Sequence, residues 1–163
     1  MQKPSFAESV DKILIKDGRY DRDSYYFVRE GLDYTLKVPK KHGDRQTPRH
    51  VSGQELLDGL RRYAIHQFGP MAKTVLVHWG IRQCGDFGEI VFNMVEKGIL
   101  GKTEQDSRED FKDGYDFDEV FVKPYQPLVR HTGSRHMNAH ANSDRFRDKN
   151  RSAGSEKLSS GSN

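Results

Sequence analysis

The chain has 163 residues, of which 34% are hydrophobic and 31% charged, and its formal net charge is +3. That is enough chain for one domain with extras, and a mean hydropathy of −0.88 makes it too polar for every segment to be buried. Its single cysteine, Cys84, excludes an intrachain disulfide, and the absence of any run of about 18 apolar residues excludes a bilayer-spanning helix.

The charge is unevenly placed. Residues 124–163 carry seven Lys/Arg against three Asp/Glu, and residues 1–123 carry 20 against 21. The basic pI of about 8.9 therefore belongs to the C-terminal stretch and does not mark the rest as nucleic-acid-binding. One cysteine and no apolar leader core read as a cytoplasmic protein.

Four helix starts are written as a short oxygen acceptor three residues before a Glu: Ser5 with Glu8, Ser52 with Glu55, Asp86 with Glu89, and Asp116 with Glu119. In each, the first side chain can accept from free N–H groups of the first turn while the Glu reaches back to the cap. After Ser5, the spacing of Phe6, Val10, Ile13 and Leu14 predicts one helix face, closed at Asp17-Gly18. A second helix is predicted from Asp21 to just before Pro39, with Tyr25, Val28, Leu32 and Leu36 on one stripe. Residues 37–50, with two prolines and five Lys/Arg, read as a basic loop.

From Ser52 a third helix points Leu56, Leu57, Leu60, Ala64 and Phe68 inward, and Gly69-Pro70 ends it. Pro70 suits the first position of a fourth helix carrying Met71, Val75 and Trp79, which Gly80 breaks. Asp86 is expected to cap a fifth helix that buries Ile90, Val91, Met94 and Val95. Gly98 then occupies the left-handed cap position, with Ile99 behind it. Residues 104–119 hold eight carboxylates against Arg108 and Lys112, and a last short helix anchored by Val120 and Phe121 follows Asp116. Beyond Pro124 the periodicity stops. The expectation is an all-α, or nearly all-α, domain of five to six helices over 1–124, with a short hairpin near 99–115 as the alternative element. Residues 125–163 are expected to form a disordered basic tail.

No chemical motif survives inspection. Gly98 to Thr103 looks like a phosphate loop, but the glycine needed five residues before Gly101 is Glu96, and an acidic run follows. The acidic run fails the EF-hand spacing: with Gly114 at position 6, position 3 is Phe111 and position 12 is Val120. It reads instead as a solvated face that supplies helix caps and is pinned by Phe111, Tyr115, Phe117 and Phe121. Cys84 lies just before the Asp86 cap, where a helix N-terminus would lower its pKa, yet His50, His66 and His78 give it no defined partner. Helices four and five form a helix-turn-helix only with a turn about twice the usual length, and helix five offers Glu89, Asn93, Glu96 and Lys97 as a poor phosphate-facing surface.

Several stretches carry a resemblance. They are Gly18-Arg-Tyr-Asp, Tyr26-Phe-Val-Arg-Glu30, His50-Val-Ser-Gly-Gln-Glu-Leu-Leu57, Gln67-Phe-Gly-Pro-Met-Ala-Lys-Thr74, Trp79-Gly-Ile81, Asp86-Phe-Gly-Glu-Ile-Val-Phe92, Gly101-Lys-Thr-Glu104, Asp106-Ser-Arg-Glu-Asp-Phe111 and Tyr115-Asp-Phe-Asp118. As a set they resemble a small conserved bacterial family of unknown function, found mainly in the Planctomycetes–Verrucomicrobia group, over roughly residues 5–124. The resemblance implies a cytoplasmic bacterial protein and carries over no catalytic residue.

The functional expectation is a non-enzymatic binding module that engages protein or RNA of the translation or transcription machinery. The alternatives are a small-molecule binder or enzyme using the acidic segment 104–119, and a winged-helix-like DNA binder. The partner-binding candidates are Lys37, Lys40, Lys41, Arg45 and Arg49 of the basic loop, with Lys73 and Arg108. The last two are also expected to tie the acidic segment to the helical core, with Gln67–Lys73 facing Asp106–Tyr115. No catalytic residue, metal or cofactor is assigned, no membrane partner is expected, and the oligomeric state is left open.

Overall fold

Local capping chemistry sets where most of the helices begin. In the computed structural model, which describes residues 2–38 and 50–128, Ser5 Oγ accepts from the Glu8 N–H at 3.2 Å and the Glu8 carboxylate accepts from the Ser5 N–H at 3.1 Å. That box opens α1, Phe6–Lys16. Asp21 accepts from the Asp23 N–H at 2.9 Å and opens α2, Arg22–Lys37. Ser52 and Glu55 repeat the reciprocal box at the start of α3, Gly53–Phe68. A 3₁₀ turn at Gly69–Met71, with Pro70 in its first positions, leads into α4, Ala72–His78. Then come α5, Cys84–Glu96, a 3₁₀ turn at Arg108–Phe111, α6, Phe117–Phe121, and a last 3₁₀ turn at Lys123–Tyr125.

The fold is all-α: five helices of seven residues or more, plus the short α6, with no strand among the described residues. Met1–Pro127 forms one unit with its own core, and of the second unit, Leu128–Asn163, only Leu128 is described. Of the expected disordered tail, 125–163, only residues 125–128 are described, Tyr125 closing the last 3₁₀ turn; the rest lies outside the described residues, as do Lys40, Lys41, Arg45 and Arg49.

Four local expectations are corrected. The segment near 99–115 is no hairpin: Ser107 caps the 3₁₀ turn at Arg108–Phe111 instead. Asp86 is not the cap of α5 but its third residue; the helix starts at Cys84, and the Asp86 carboxylate accepts from the N–H groups of Arg82 and Gln83 at 2.8 and 3.1 Å. The buried stripe of α4 is Ala72 and Leu76, one position on from the expected Met71 and Val75. In α6 the anchors are Phe117 and Phe121, with Val120 only half-buried.

Two glycines end helices in the same way. At Gly98, φ is +70°, Gly98 N–H donates to Val95 O at 2.9 Å, and Ile99 N–H donates to Met94 O at 2.9 Å. At Gly80, φ is +90°, and the pair is Gly80 to Val77 O at 3.0 Å and Ile81 to Leu76 O at 2.9 Å. Both are Schellman caps, whose left-handed residue favours glycine.

The core is built on α2 against α3. Their close approach depends on Gly31 and Gly59: a Cβ at Gly31 would overlap Leu60, and one at Gly59 would overlap the Thr35 side chain. Phe27 of α2 then gathers the rings of Tyr63, Phe68, Trp79 and Phe87 at centroid distances of 5.3, 5.9, 5.7 and 6.4 Å. Aromatic pairs at such spacing add to the burial of their own area. Helix α5 packs against α1, α2 and α3, and the turn carrying Phe111 covers its outer side.

Candidate binding site

Phe111 positions the site. Its ring is buried in a notch between the first turn of α3 and the middle of α5. The notch exists because residues 53 and 88 are glycines: a Cβ at Gly88 would stand 2.8 Å from Phe111 Cβ, and one at Gly53 would stand 3.1 Å from Phe111 Cε2. Gln54 of α3 adds a donor to Asp110 O at 2.5 Å. Pinned in this way, the segment 100–111 arches over the space between α2, α3 and α5 and encloses a cavity of about 190 Å³.

The cavity walls are apolar. Leu32 and Leu36 come from α2, Leu56 from α3, and Val91, Phe92 and Val95 from α5. Val91 and Val95 were expected in the core; they are half-buried because their side of α5 faces this space. Leu100 and Phe111 close the far wall.

One edge is polar. His50 Nε2 lies 3.1 Å from Asp106 Oδ1, and Asp106 Oδ2 accepts from Thr103 N–H at 2.7 Å and Thr103 Oγ1 at 3.1 Å. Burial alone would raise the Asp106 pKa, but the hydrogen bonds from Thr103 and His50 outweigh it and hold the carboxyl below its ordinary value. Asp110 and Lys102 complete that edge. Lys102 Nζ stands 5.7 Å from the Phe92 ring centroid and the Arg108 guanidinium 4.9 Å from it, so two cations lie over that ring.

The predicted site residues do not converge. Lys37 is the exposed last residue of α2, and the rest of the basic loop's candidates lie outside the described residues. Lys73 pairs with Asp118 of α6. Arg108 pairs with Glu89 at 3.3 Å and Glu96 at 3.2 Å, both on α5. Each ties part of the acidic segment to the helices. The stretch Gln67–Lys73, however, meets α6 and not Asp106–Tyr115, which packs on α3 and α5 instead.

Cys84 is corrected as a candidate nucleophile. It is buried, and burial pushes its thiol pKa up although it sits in the first turn of α5; the Tyr115 backbone only partly offsets this. His66, whose ring lies 6.3 Å from that of Tyr34, and His78 are exposed and line no part of the cavity. Helix α5 offers no free face for a DNA groove: Glu89 is bridged by Arg19 at 3.1 Å and by Arg108, and Asn93 donates to Asp17 at 3.0 Å and Tyr25 at 3.2 Å. Sequence reasoning missed His50, Val91, Phe92 and Leu100 as neighbours, and no local signal marks them, because they come from three separate segments.

No family model, no curated protein and no solved structure matches this chain.

Proposed function

We propose that the folded unit is a binding module that receives one apolar side chain of a protein partner in the cavity between α2, α3, α5 and residues 100–111. The observation that carries this is the cavity itself: about 190 Å³, apolar on its walls and polar along one edge. An apolar space of about 150 Å³ takes a benzene-sized group, so this one suits a single leucine or aromatic side chain. Anchor residues of that kind, seated in a desolvated pocket with polar groups at the rim, dominate many protein interfaces. The His50–Asp106 pair and Lys102 supply such a rim.

A second reading is a small-molecule binder, favoured by Asp106 and Asp110 of the acidic segment lining the same cavity. The RNA reading rests on the Lys and Arg residues of the basic loop and tail, of which only Lys37 is described. Membership of the Planctomycetes–Verrucomicrobia family and a cytoplasmic location are further proposals, resting on the sequence stretches and composition given above.

An NMR titration of the full chain with indole and p-cresol tests the cavity. Saturable shifts confined to Leu56, Val91, Phe92 and Leu100, abolished by Val91→Trp, are expected. Shifts spread over the surface, or none, would overturn the reading. A displayed-peptide selection then separates the two versions. Enriched peptides that share one aromatic or leucine and lose binding to Val91→Trp support a protein partner. Probe binding without peptide enrichment supports the small ligand.

A further inference from the structure

On the other side of Leu100 lies a separate groove. Residues just before and within the first turns of α1, the outer face of α2 and the turn after α5 enclose about 430 Å³, with Lys3, Phe6, Ser9, Arg29 and Lys97 in its lining. Three cations line it and no carboxylate does. None of the three makes an ion pair among the described residues. Of the acids near them in sequence, Glu8 is engaged with the Ser5 N–H, Glu30 accepts from the Tyr63 hydroxyl at 2.8 Å, and Glu96 is paired with Arg108. Arg29 is held in place: its guanidinium lies 4.4 Å over the Phe6 ring, which is itself fixed edge-on by Tyr26 at 4.9 Å.

A buried hydroxyl points to what the cations await. The buried polar residues among those described are Ser9, Ser24 and Thr35. Ser24 Oγ donates to Asp21 O at 2.6 Å and Thr35 Oγ1 to Gly31 O at 2.7 Å. Ser9 is as enclosed as Thr35, at 6% exposure, yet its hydroxyl has no hydrogen bond among the described residues. Buried hydroxyls are nearly always partnered, and this one lines the groove beside three unpaired cations.

We propose that this groove binds a phosphate monoester group, with Arg29, Lys97 and Lys3 as its charge partners and the Ser9 hydroxyl as a hydrogen-bond donor. A phosphate monoester offers three terminal oxygens and close to two negative charges near neutral pH, which matches donors arriving from three directions. A carboxylate, with two coplanar oxygens, leaves part of that set unused. The apolar wall of Phe6, Ile99 and Leu100 suits an ester with a hydrophobic body.

The test uses the full chain, read residue by residue in NMR so that the basic tail's own contacts are resolved separately. Phenyl phosphate, inorganic phosphate and, at matched ionic strength, sodium chloride are titrated. Saturable shifts at Ser9, the Arg29 side chain, Lys97 and Gly98 with phenyl phosphate and not with chloride are expected. Arg29→Gln and Lys97→Gln should each weaken binding about tenfold, the loss of one charge-assisted hydrogen bond. Ser9→Ala should weaken binding several-fold and leave Tm unchanged or higher, since it removes a polar group with no partner. Vesicles of phosphatidylcholine with and without phosphatidic acid distinguish a lipid headgroup from a soluble ester: binding to the first alone, beyond that of phenyl phosphate, assigns the lipid. Absence of saturable shifts, wild-type affinity in the Arg29→Gln/Lys97→Gln double variant, or a lowered Tm for Ser9→Ala overturns the proposal. Indole binding in the cavity is read in the same spectra and is independent of all three variants.

Discussion

The Cys84 sulfur lies 3.3 Å from both the backbone N and the backbone O of Tyr115, accepting from the first and donating to the second. A helix N-terminus and the strap that follows the 3₁₀ turn are thereby joined through one thiol. Gly114 makes room for it, since a Cβ there would stand 2.5 Å from Sγ. The thiol is buried and its pKa raised chiefly by desolvation, so it should resist Ellman's reagent in the folded protein. The expected outcome is modification at the rate of unfolding. Rapid stoichiometric reaction at neutral pH would contradict the burial described here.

Gly59 allows α2 and α3 to touch, and Thr35 occupies the space its side chain would need. Gly59→Ala should lower stability by about 1–3 kcal/mol, the ordinary cost of overpacking, read as a reduced denaturant midpoint with an unchanged slope. Thr35→Ala in the same chain should recover part of that loss, because the hydroxyl is the group struck first. Additive effects of the two substitutions would place the strain elsewhere.

Gly80 and Gly98 share a left-handed backbone but not their surroundings. A Cβ at Gly98 meets nothing within 4 Å, whereas one at Gly80 would run into the Arg19 carbonyl. Gly98→Ala should therefore cost about 1 kcal/mol, the conformational term alone. Gly80→Ala should cost clearly more, since its backbone neighbour cannot swing aside. Thermal unfolding of the two variants side by side checks the order.

Asp17 is the carboxylate most displaced toward ionisation. The Arg19 guanidinium, donating at 2.9 and 2.7 Å, holds its pKa well below the usual range, and Asn93 adds to this against the opposing effect of burial. Because the folded pKa is lowered, this stabilisation is complete above the ordinary value of 3.8 and is lost as pH falls below it toward the folded value. Asp17→Asn should cost about 1–2 kcal/mol at neutral pH and flatten the acid limb of the stability–pH curve. An acid limb identical to wild type would assign acid sensitivity to other groups.

How much of this was legible in the sequence divides by range. Ser5, Asp21, Ser52 and Asp116 fixed four helix starts, and Gly80 and Gly98 two helix ends, because a cap is made by residues two to five positions apart and needs no knowledge of the rest of the chain. The same logic misplaced the start of α5. Asp86 has the right chemistry for a cap, but the chain between α4 and α5 turns tightly enough for its carboxylate to take the Arg82 and Gln83 N–H groups from inside the helix. The helical stripes of α1 and α3 were readable from periodicity, whereas in α2 the expected Leu36 is exposed and the buried Phe27 lay outside the expected stripe. In α4 and α5 the stripe shifted, since which apolar residue is buried depends on which neighbour arrives: α3 and α6 for α4, and Phe27 and Phe111 from distant segments for α5. The candidate site belongs wholly to that second kind. The cavity exists because Gly53 and Gly88, far apart in the chain, admit one phenylalanine ring, and the cationic groove because α1, α2 and the turn after α5 meet. Local hydrogen bonding is written along the sequence; enclosure, desolvation and the pairing of charges are set by what folding brings alongside.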